Sequence, residues 1–494
     1  MSMFKDLTIS EINNVMDDAW DAFHIYSKRS LKQRADFMRN IAIEIENCGD
    51  ALIKTAMQET NLPEARLKSE RTRTIFQLNS YAAFCESGQW MDIRIDRANA
   101  NRNPPKPDLR KMLVPLGPVV VFGAANFPFA YSTAGGDTAC AFAAGCPVIV
   151  KAHPAHAATS EMVAVAILKA ADNCNMPKGI FAHVHGASSA VGEALVKHPY
   201  TKAVGFTGSF AGGKQLFDWG NQRKEPIPVF AEMSSVNPVF LLPEKMKASA
   251  IQAAKMYAAS ISLNAGQFCT NPGIMIGIDN EDLETFTSVL IEEIKKVSPA
   301  AMLNSGIYKN YEKKRTEALK QDGVEILFGE DPLSWSGIDN RDIVPTIAST
   351  TAKTFISNHL LQEEVFGPYS IIVRCNDIDE VKTVAKKIDG QLTATFIATE
   401  NDIVNNEELV DIVKNICGRF ILNGVPTGVE VCLAMQHGGP FPATTDSRFT
   451  SVGGDGIKRF ARPVAFQNWP DHLLPEELKE GNPLGLVRTV NNEF

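Results

Sequence analysis

The chain has 494 residues, enough for about three domains and a substantial buried core. Its 45% hydrophobic and 21% charged residues, with a mean hydropathy of -0.09, exclude collagen-like and broadly disordered chains. A net charge of -8, from 49 Lys+Arg against 57 Asp+Glu, is the wrong sign for a protein that neutralises phosphates, so no nucleic acid is expected as a partner.

The first residues lack a basic and apolar leader, and the nine cysteines are odd in number without a CxxC pair. Reduced thiols in a cytoplasmic chain are the expectation. Thr8 and Glu11 have capping-box spacing, and Ile12, Val15, Met16, Ala19, Trp20, Phe23 and Tyr26 fall on one face of the helix that follows. Asn99 to Asp108, rich in Asn and Pro, reads as an exposed linker or edge excursion. Met112 to Val150 carries one charge, Asp137, but its glycines and prolines rule out a lipid-facing helix, so no membrane span is expected.

That stretch reads instead as a buried strand over Val119 to Phe122, a helix over Ala130 to Ala144 closed by Gly145, and a new strand from Pro147. Further strands are predicted at Phe181 to Val184, Ala203 to Phe206, Val229 to Met233 and Val239 to Leu242, mostly with helices between. The alternation defines the fold class as α/β, with a doubly wound, mainly parallel sheet. A second α/β pattern runs from Glu244 to Leu422, which sets a boundary near Pro243. A polar, proline-containing tail follows Pro463.

Two residues invite chemistry. Cys269 sits in the polar, glycine-containing segment Asn264 to Gly273, where a thiol is reachable; otherwise it is a small buried hydrophobe. Glu232 ends an apolar strand, where desolvation raises a carboxyl toward the pKa of a general base; a capping or ion-paired role is the alternative.

The series Asn126-Phe-Pro128, Lys151 after its strand, Phe206-Thr-Gly-Ser-Phe-Ala-Gly-Gly213, Glu232, Gly266-Gln-Phe-Cys269 and Glu363-Glu-Val-Phe-Gly-Pro368 resembles, in order and spacing, the motifs of the aldehyde dehydrogenase superfamily. The resemblance implies a Rossmann-like cofactor domain over 1–243, with 92–107 as an edge excursion used in oligomerisation. It further implies a catalytic domain over 244–422, a return segment over 423–465 and an oligomerisation tail over 466–494. A homo-oligomer, dimer or tetramer, is expected. Cys269 would be the nucleophile that forms a thiohemiacetal and then a thioester, and Glu232 the base for hydrolysis. Asn126 would serve the oxyanion beside the backbone N–H of Cys269.

A GxGxxG fingerprint is absent. By resemblance, Gly208 and Ser209 open a helix whose N–H groups suit a pyrophosphate. Lys151 would reach a ribose or phosphate, and Glu364 and Phe366 would hold the nicotinamide ribose and ring. NAD-preferring relatives often carry a glutamate three residues after the lysine, but here the run is Lys151-Ala-His153-Pro154. NADP is therefore the expected cofactor, with NAD as the alternative. The histidines 153, 156, 183 and 185 follow strand ends and turns without an acidic or thiolate companion, so no metal is expected.

The phrases Pro426 to Cys432, His437-Gly-Gly-Pro-Phe-Pro442 and Thr445-Asp-Ser-Arg448 resemble the NADP-accepting branch of the superfamily that oxidises 2,5-dioxopentanoate to 2-oxoglutarate. A long-chain aldehyde is the alternative substrate. A catalytically silent nucleotide-binding protein is the alternative of another class. Arg448 is the candidate cation for a substrate carboxylate, and Phe129 and Phe268 are candidates for an apolar tunnel.

Overall fold

The computed structural model describes residues 4–330 and 342–491. Four helices open it, Ile9–Tyr26, Leu31–Asn47, Gly49–Thr60 and Glu64–Ser87. The first is held by the expected capping box, with Thr8 N–H donating to Glu11 Oε2 at 2.8 Å and Glu11 N–H donating to Thr8 Oγ1 at 3.3 Å. Ile12, Met16 and Ala19 are buried against a sheet, while Trp20 stacks on Tyr200 at the rim.

That sheet has five parallel strands in the order Phe181–Val184, Val148–Lys151, Val119–Phe122, Ala203–Thr207 and Val229–Glu232. The period-2 alternation of a strand feeds two cores. Val119, Val121, Val148 and Val150 pack on one face, and Val120, Ile149 and Val204 on the other. Strand order reverses beside Val119–Phe122, and in such sheets the crevice at the carboxyl ends is the usual ligand site.

The helix expected from Ala130 starts only at Gly136 and runs to Ala144. Gly135 and Gly136 are poor helix formers, and the residues before them close into turns, with Gly135 N–H donating to the Ser132 carbonyl at 2.9 Å and Gly136 N–H to the Ala130 carbonyl at 3.2 Å, while Glu70 Oε1 accepts from the Phe129 and Ala130 N–H groups at 2.9 and 3.0 Å. Gly145 closes the helix at φ +99°, as a left-handed cap requires.

The strand Val239–Leu241 belongs with a second sheet and not with the strands before it. This seven-stranded sheet runs Val324–Phe328, Thr346–Thr351, Tyr369–Cys375, Ile274–Ile278, Val239–Leu241, Gln391–Ile397 and Cys417–Leu422, parallel apart from the first strand. The chain thus crosses between sheets over residues 233–238, immediately after Glu232. A four-stranded sheet joins Ala461–Gln467, Leu109–Pro115, Arg94–Asp96 and Thr489–Val490, with the exposed 97–108 excursion as the link between its two inner strands. Among the described residues no helix is long and apolar enough to cross a membrane.

Candidate active site

The crossover brings Glu232, Cys269 and His437 together. His437 Nε2 lies 3.0 Å from Glu232 Oε1 and 3.7 Å from Cys269 Sγ, and one ligand-type atom of each of the three falls within 4.8 Å of the others. Ser451 Oγ donates to Glu232 Oε2 at 2.6 Å. Glu232 and His437 are buried, and the thiol is partly buried.

Burial and the neighbouring Glu232 charge push the Cys269 thiol well above its ordinary value, so it rests protonated. The carboxyl of Glu232 differs from the sequence expectation. Burial does push it upward, but His437, Ser451 and the Cys269 thiol together hold it below the usual carboxylate value. The resting arrangement is therefore a thiol beside a carboxylate able to receive the proton that leaves sulfur, with the His437 imidazole donating its Nε2 hydrogen to that carboxylate.

The segment before the cysteine is wound left-handed. Asn264, Ala265 and Gly266 have φ of +48°, +53° and +63° in succession, a costly run for L-residues outside glycine. Around it, Asn237 Nδ2 donates to the carbonyls of Cys269 and Asn271 at 2.9 Å each, and Gln391 Oε1 accepts from Val236 and Asn237 N–H at 2.7 and 3.0 Å. Gly266 also lies flat on the Glu363 to Pro368 motif. A Cβ there would sit 2.4 Å from Gly367 and Pro368 backbone atoms. Gly266→Ala is therefore expected to cost about 2–4 kcal/mol, read as a fall in melting temperature together with lost activity.

Asn126 Nδ2 donates one hydrogen to the Gln267 carbonyl at 3.1 Å, two residues from Cys269, and its second hydrogen is available to an oxygen. The backbone N–H of Cys269 has no partner among the described residues. A cleft lined by Ser235, Phe268, Asn271, Glu364, Phe366 and Tyr369 opens alongside. Burial raises the Glu364 carboxyl to about 7, against the opposing bonds from Ser234 and Ser235.

At the carboxyl edge of the five-stranded sheet, Ser209 caps the helix Phe210–Asn221 and accepts from Gly212 N–H at 3.3 Å. The Gly208 N–H, expected to be free, donates to the Glu232 carbonyl at 3.0 Å, which leaves the N–H groups of Ser209 and Ala211 as the donors without partners among the described residues. Lys151 is half-buried and forms no ion pair among the described residues, though the Asp6 charge acts on it. His153 lies next to Pro154, which opens the short helical turn Pro154–His156, and burial pushes the imidazole down to about 3. Its Nδ1 accepts from Ala155 N–H at 3.1 Å, so Nε2 carries the hydrogen as a neutral donor.

Three assignments need correction. Phe129 is 1% exposed within the core, because its backbone is tied to Glu70; Phe127 stands nearer the cleft, edge-on to Phe268 at 5.7 Å. Arg448 points to solvent and is held by Asp446 at 2.6 and 2.8 Å. The histidine cluster does have an acidic companion, since Glu161 Oε2 lies 2.8 Å from both His183 Nδ1 and His185 Nε2. Sequence reasoning also missed the place of His437, which lies more than 160 residues from Cys269 in the chain and carries no local signal.

A thiol, a carboxylate and an imidazole converge beside oxyanion donors at the junction of two α/β layers, and that combination serves acyl chemistry on a carbonyl. Residues 1–439 match the aldehyde dehydrogenase family, and the chain belongs to that family. Members work with a nicotinamide dinucleotide on an aldehyde. The chain is 46% identical over 481 residues to the α-ketoglutaric semialdehyde dehydrogenase 2 of Azospirillum brasilense, covering 97% of this chain and 91% of that one. It is 45% identical over 492 residues to the α-ketoglutaric semialdehyde dehydrogenase of Acinetobacter baylyi, covering 99% and 92%. Among solved structures, the glyceraldehyde-3-phosphate dehydrogenase GapN of Methanocaldococcus jannaschii complexed with NADP shares the fold, with a TM-score of 0.78 at 18% identity over 94% of this chain and 95% of that one.

Proposed function

We propose that this chain oxidises 2,5-dioxopentanoate, the semialdehyde of 2-oxoglutarate, to 2-oxoglutarate with NADP+ and water, releasing NADPH and two protons. The observation that carries the substrate is identity of about 45% over nearly the whole chain to two α-ketoglutaric semialdehyde dehydrogenases. In the proposed course, Sγ of Cys269 adds to the aldehyde carbon as its proton passes to the Glu232 carboxylate, which the His437 Nε2–H orients. The new oxyanion accepts hydrogen bonds from Asn126 Nδ2 and the Cys269 N–H. A nicotinamide dinucleotide held in the cleft beside Glu364 and Phe366 would supply the hydride acceptor that this oxidation needs. Glu232 then takes a proton from the water that opens the thioester, and the acid leaves as Cys269 is restored.

The residues present fit such a dinucleotide. Glu364 and Phe366 line the cleft beside the thiol, the Ser209-capped helix presents N–H groups at the sheet edge, and Lys151 is a half-buried cation without an ion pair among the described residues. A 2′-phosphate would meet Lys151 and the His153 Nε2–H donor, which supports NADP over NAD. Since Glu364 titrates near 7 and only its carboxylate accepts ribose hydroxyls, NADP+ affinity is expected to tighten several-fold as pH rises through about 7. In Glu364→Gln that dependence should vanish, as measured by nucleotide-binding titrations across pH.

We further infer that the four-stranded sheet, which gathers the Arg94–Asp96 strand and the tail strand Thr489–Val490, is the oligomerisation element of a cytoplasmic homo-oligomer. Light scattering with and without the tail tests that reading. The substrate reading is tested by kcat/KM on 2,5-dioxopentanoate and on a long alkyl aldehyde with each nucleotide. The acid aldehyde with NADP+ should be preferred by about 100-fold or more, and preference for the alkyl aldehyde would overturn it.

A further inference from the structure

Two arginines from different layers meet at one loop near the thiol without a carboxylate partner among the described residues. Arg459 faces Asp137 at 2.7 Å, Arg315 faces Glu312 at 3.0 Å, and Arg34 spends its Nε and both terminal nitrogens on carbonyl oxygens. By contrast, Arg73 and Arg419 form no ion pair among the described residues. Arg73 comes from the helix Glu64–Ser87 and Arg419 from the strand Cys417–Leu422, in different layers of the molecule. They meet at one loop, where Arg73 Nη1 donates to the Val429 carbonyl at 2.5 Å and Arg419 donates to the Gly428 and Pro426 carbonyls at 2.8 and 2.5 Å.

These bonds leave donors unspent. Arg419 Nε is buried without a partner, and Arg419 lies within electrostatic reach of both Cys269 and Tyr131. The Arg73 charge acts on the Tyr131 hydroxyl, and the Tyr131 ring stands 6.4 Å from that of His437. An uncompensated pair of guanidinium groups next to a reaction centre, in a chain of net charge -8, is costly unless an anion completes it.

We propose that Arg73 and Arg419 form the anion-binding end of the aldehyde site and take the carboxylate of a short acidic aldehyde whose carbonyl carbon lies on Cys269. The inference deepens the functional reading above and rests on it for the position of the carbonyl. In 2,5-dioxopentanoate the aldehyde and carboxylate carbons are about 5 Å apart, so an anion-binding group for this substrate must lie in the immediate surroundings of the thiol, where the Arg419 charge already acts on Cys269. The fork of a guanidinium matches a carboxylate, and its loss should act on acidic aldehydes far more than on alkyl ones.

The experiment measures kcat/KM for succinate semialdehyde against butanal, and for 2,5-dioxopentanoate against pentanal, in the wild type, Arg73→Met, Arg419→Met and Arg419→Lys. The acid-to-alkyl ratio should fall by about 100-fold in each methionine variant, mainly through KM, with partial recovery in the lysine variant. An equal loss on acid and alkyl aldehydes would make the arginines loop anchors alone and overturn the proposal. A wild type that favours succinate semialdehyde over butanal but ignores 2,5-dioxopentanoate would sink the functional reading and leave this one standing. Independently of folding in the variants, glutarate should compete with butanal in the wild type while glutaramide does not, and failure of glutarate to compete would also overturn it.

Discussion

Cys269→Ala is expected to lower aldehyde oxidation by at least about 10⁴-fold while leaving NADP+ binding in place, because no other group can form the sulfur-carbon bond. The other cysteines give no substitute. Cys85, Cys140, Cys146 and Cys375 are buried, with thiols pushed up to about 12, 11, 11 and 12 by their apolar surroundings. Among the described residues, only Cys269 has a carboxylate and an imidazole within reach of its sulfur. Steady-state assays and nucleotide titrations on the same preparation check both halves of the result, and substantial turnover by the alanine variant would remove the thiol from the chemistry.

Glu232→Gln should separate the two halves of the reaction. With the carboxylate gone, the His437 Nε2 atom, 3.7 Å from Sγ, is released to accept the thiol proton, so the first turnover should still release about one equivalent of NADPH. Opening the thioester needs a base for water, and its loss should slow steady-state turnover by roughly 10²- to 10⁴-fold. Rapid-mixing measurements of NADPH formation should therefore show a burst followed by a slow phase. Equal losses in burst and steady state would contradict the assignment of Glu232 to hydrolysis.

Strand positions were legible because short β-branched runs bounded by Gly and Pro admit few alternatives, and Val119–Phe122 and Phe181–Val184 have the predicted ends. Which sheet a strand joins was not legible. Val239–Leu241 has the composition of its predecessors, and only tertiary pairing with Ile274–Ile278 and Gln391–Ile397 sends it to the second layer. The helix start near Ala130 failed because Gly135 and Gly136 are poor helix formers and the residues before them close into turns, with Gly135 N–H donating to the Ser132 carbonyl and Gly136 N–H to that of Ala130.

Within the site, residues carried by local motifs, such as Cys269, Glu232 and Asn126, could be named from sequence. Those recruited by the fold could not. His437, Ser451, Tyr131 and Arg419 reach the thiol's surroundings from segments whose proximity exists only after two sheets have packed. Arg448 misled for the complementary reason. A cation in the right stretch of sequence is neutralised by Asp446 two residues away, a local pairing that leaves nothing for a ligand.

The most direct test is intact-mass and peptide-mapping spectrometry of Glu232→Gln mixed with NADP+ and 2,5-dioxopentanoate and quenched within the first turnover. The expected product is one acyl group per chain, attached to the peptide that contains Cys269 and formed together with one NADPH. NADPH release without a covalent adduct, or an adduct on any other residue, would contradict catalysis through Cys269.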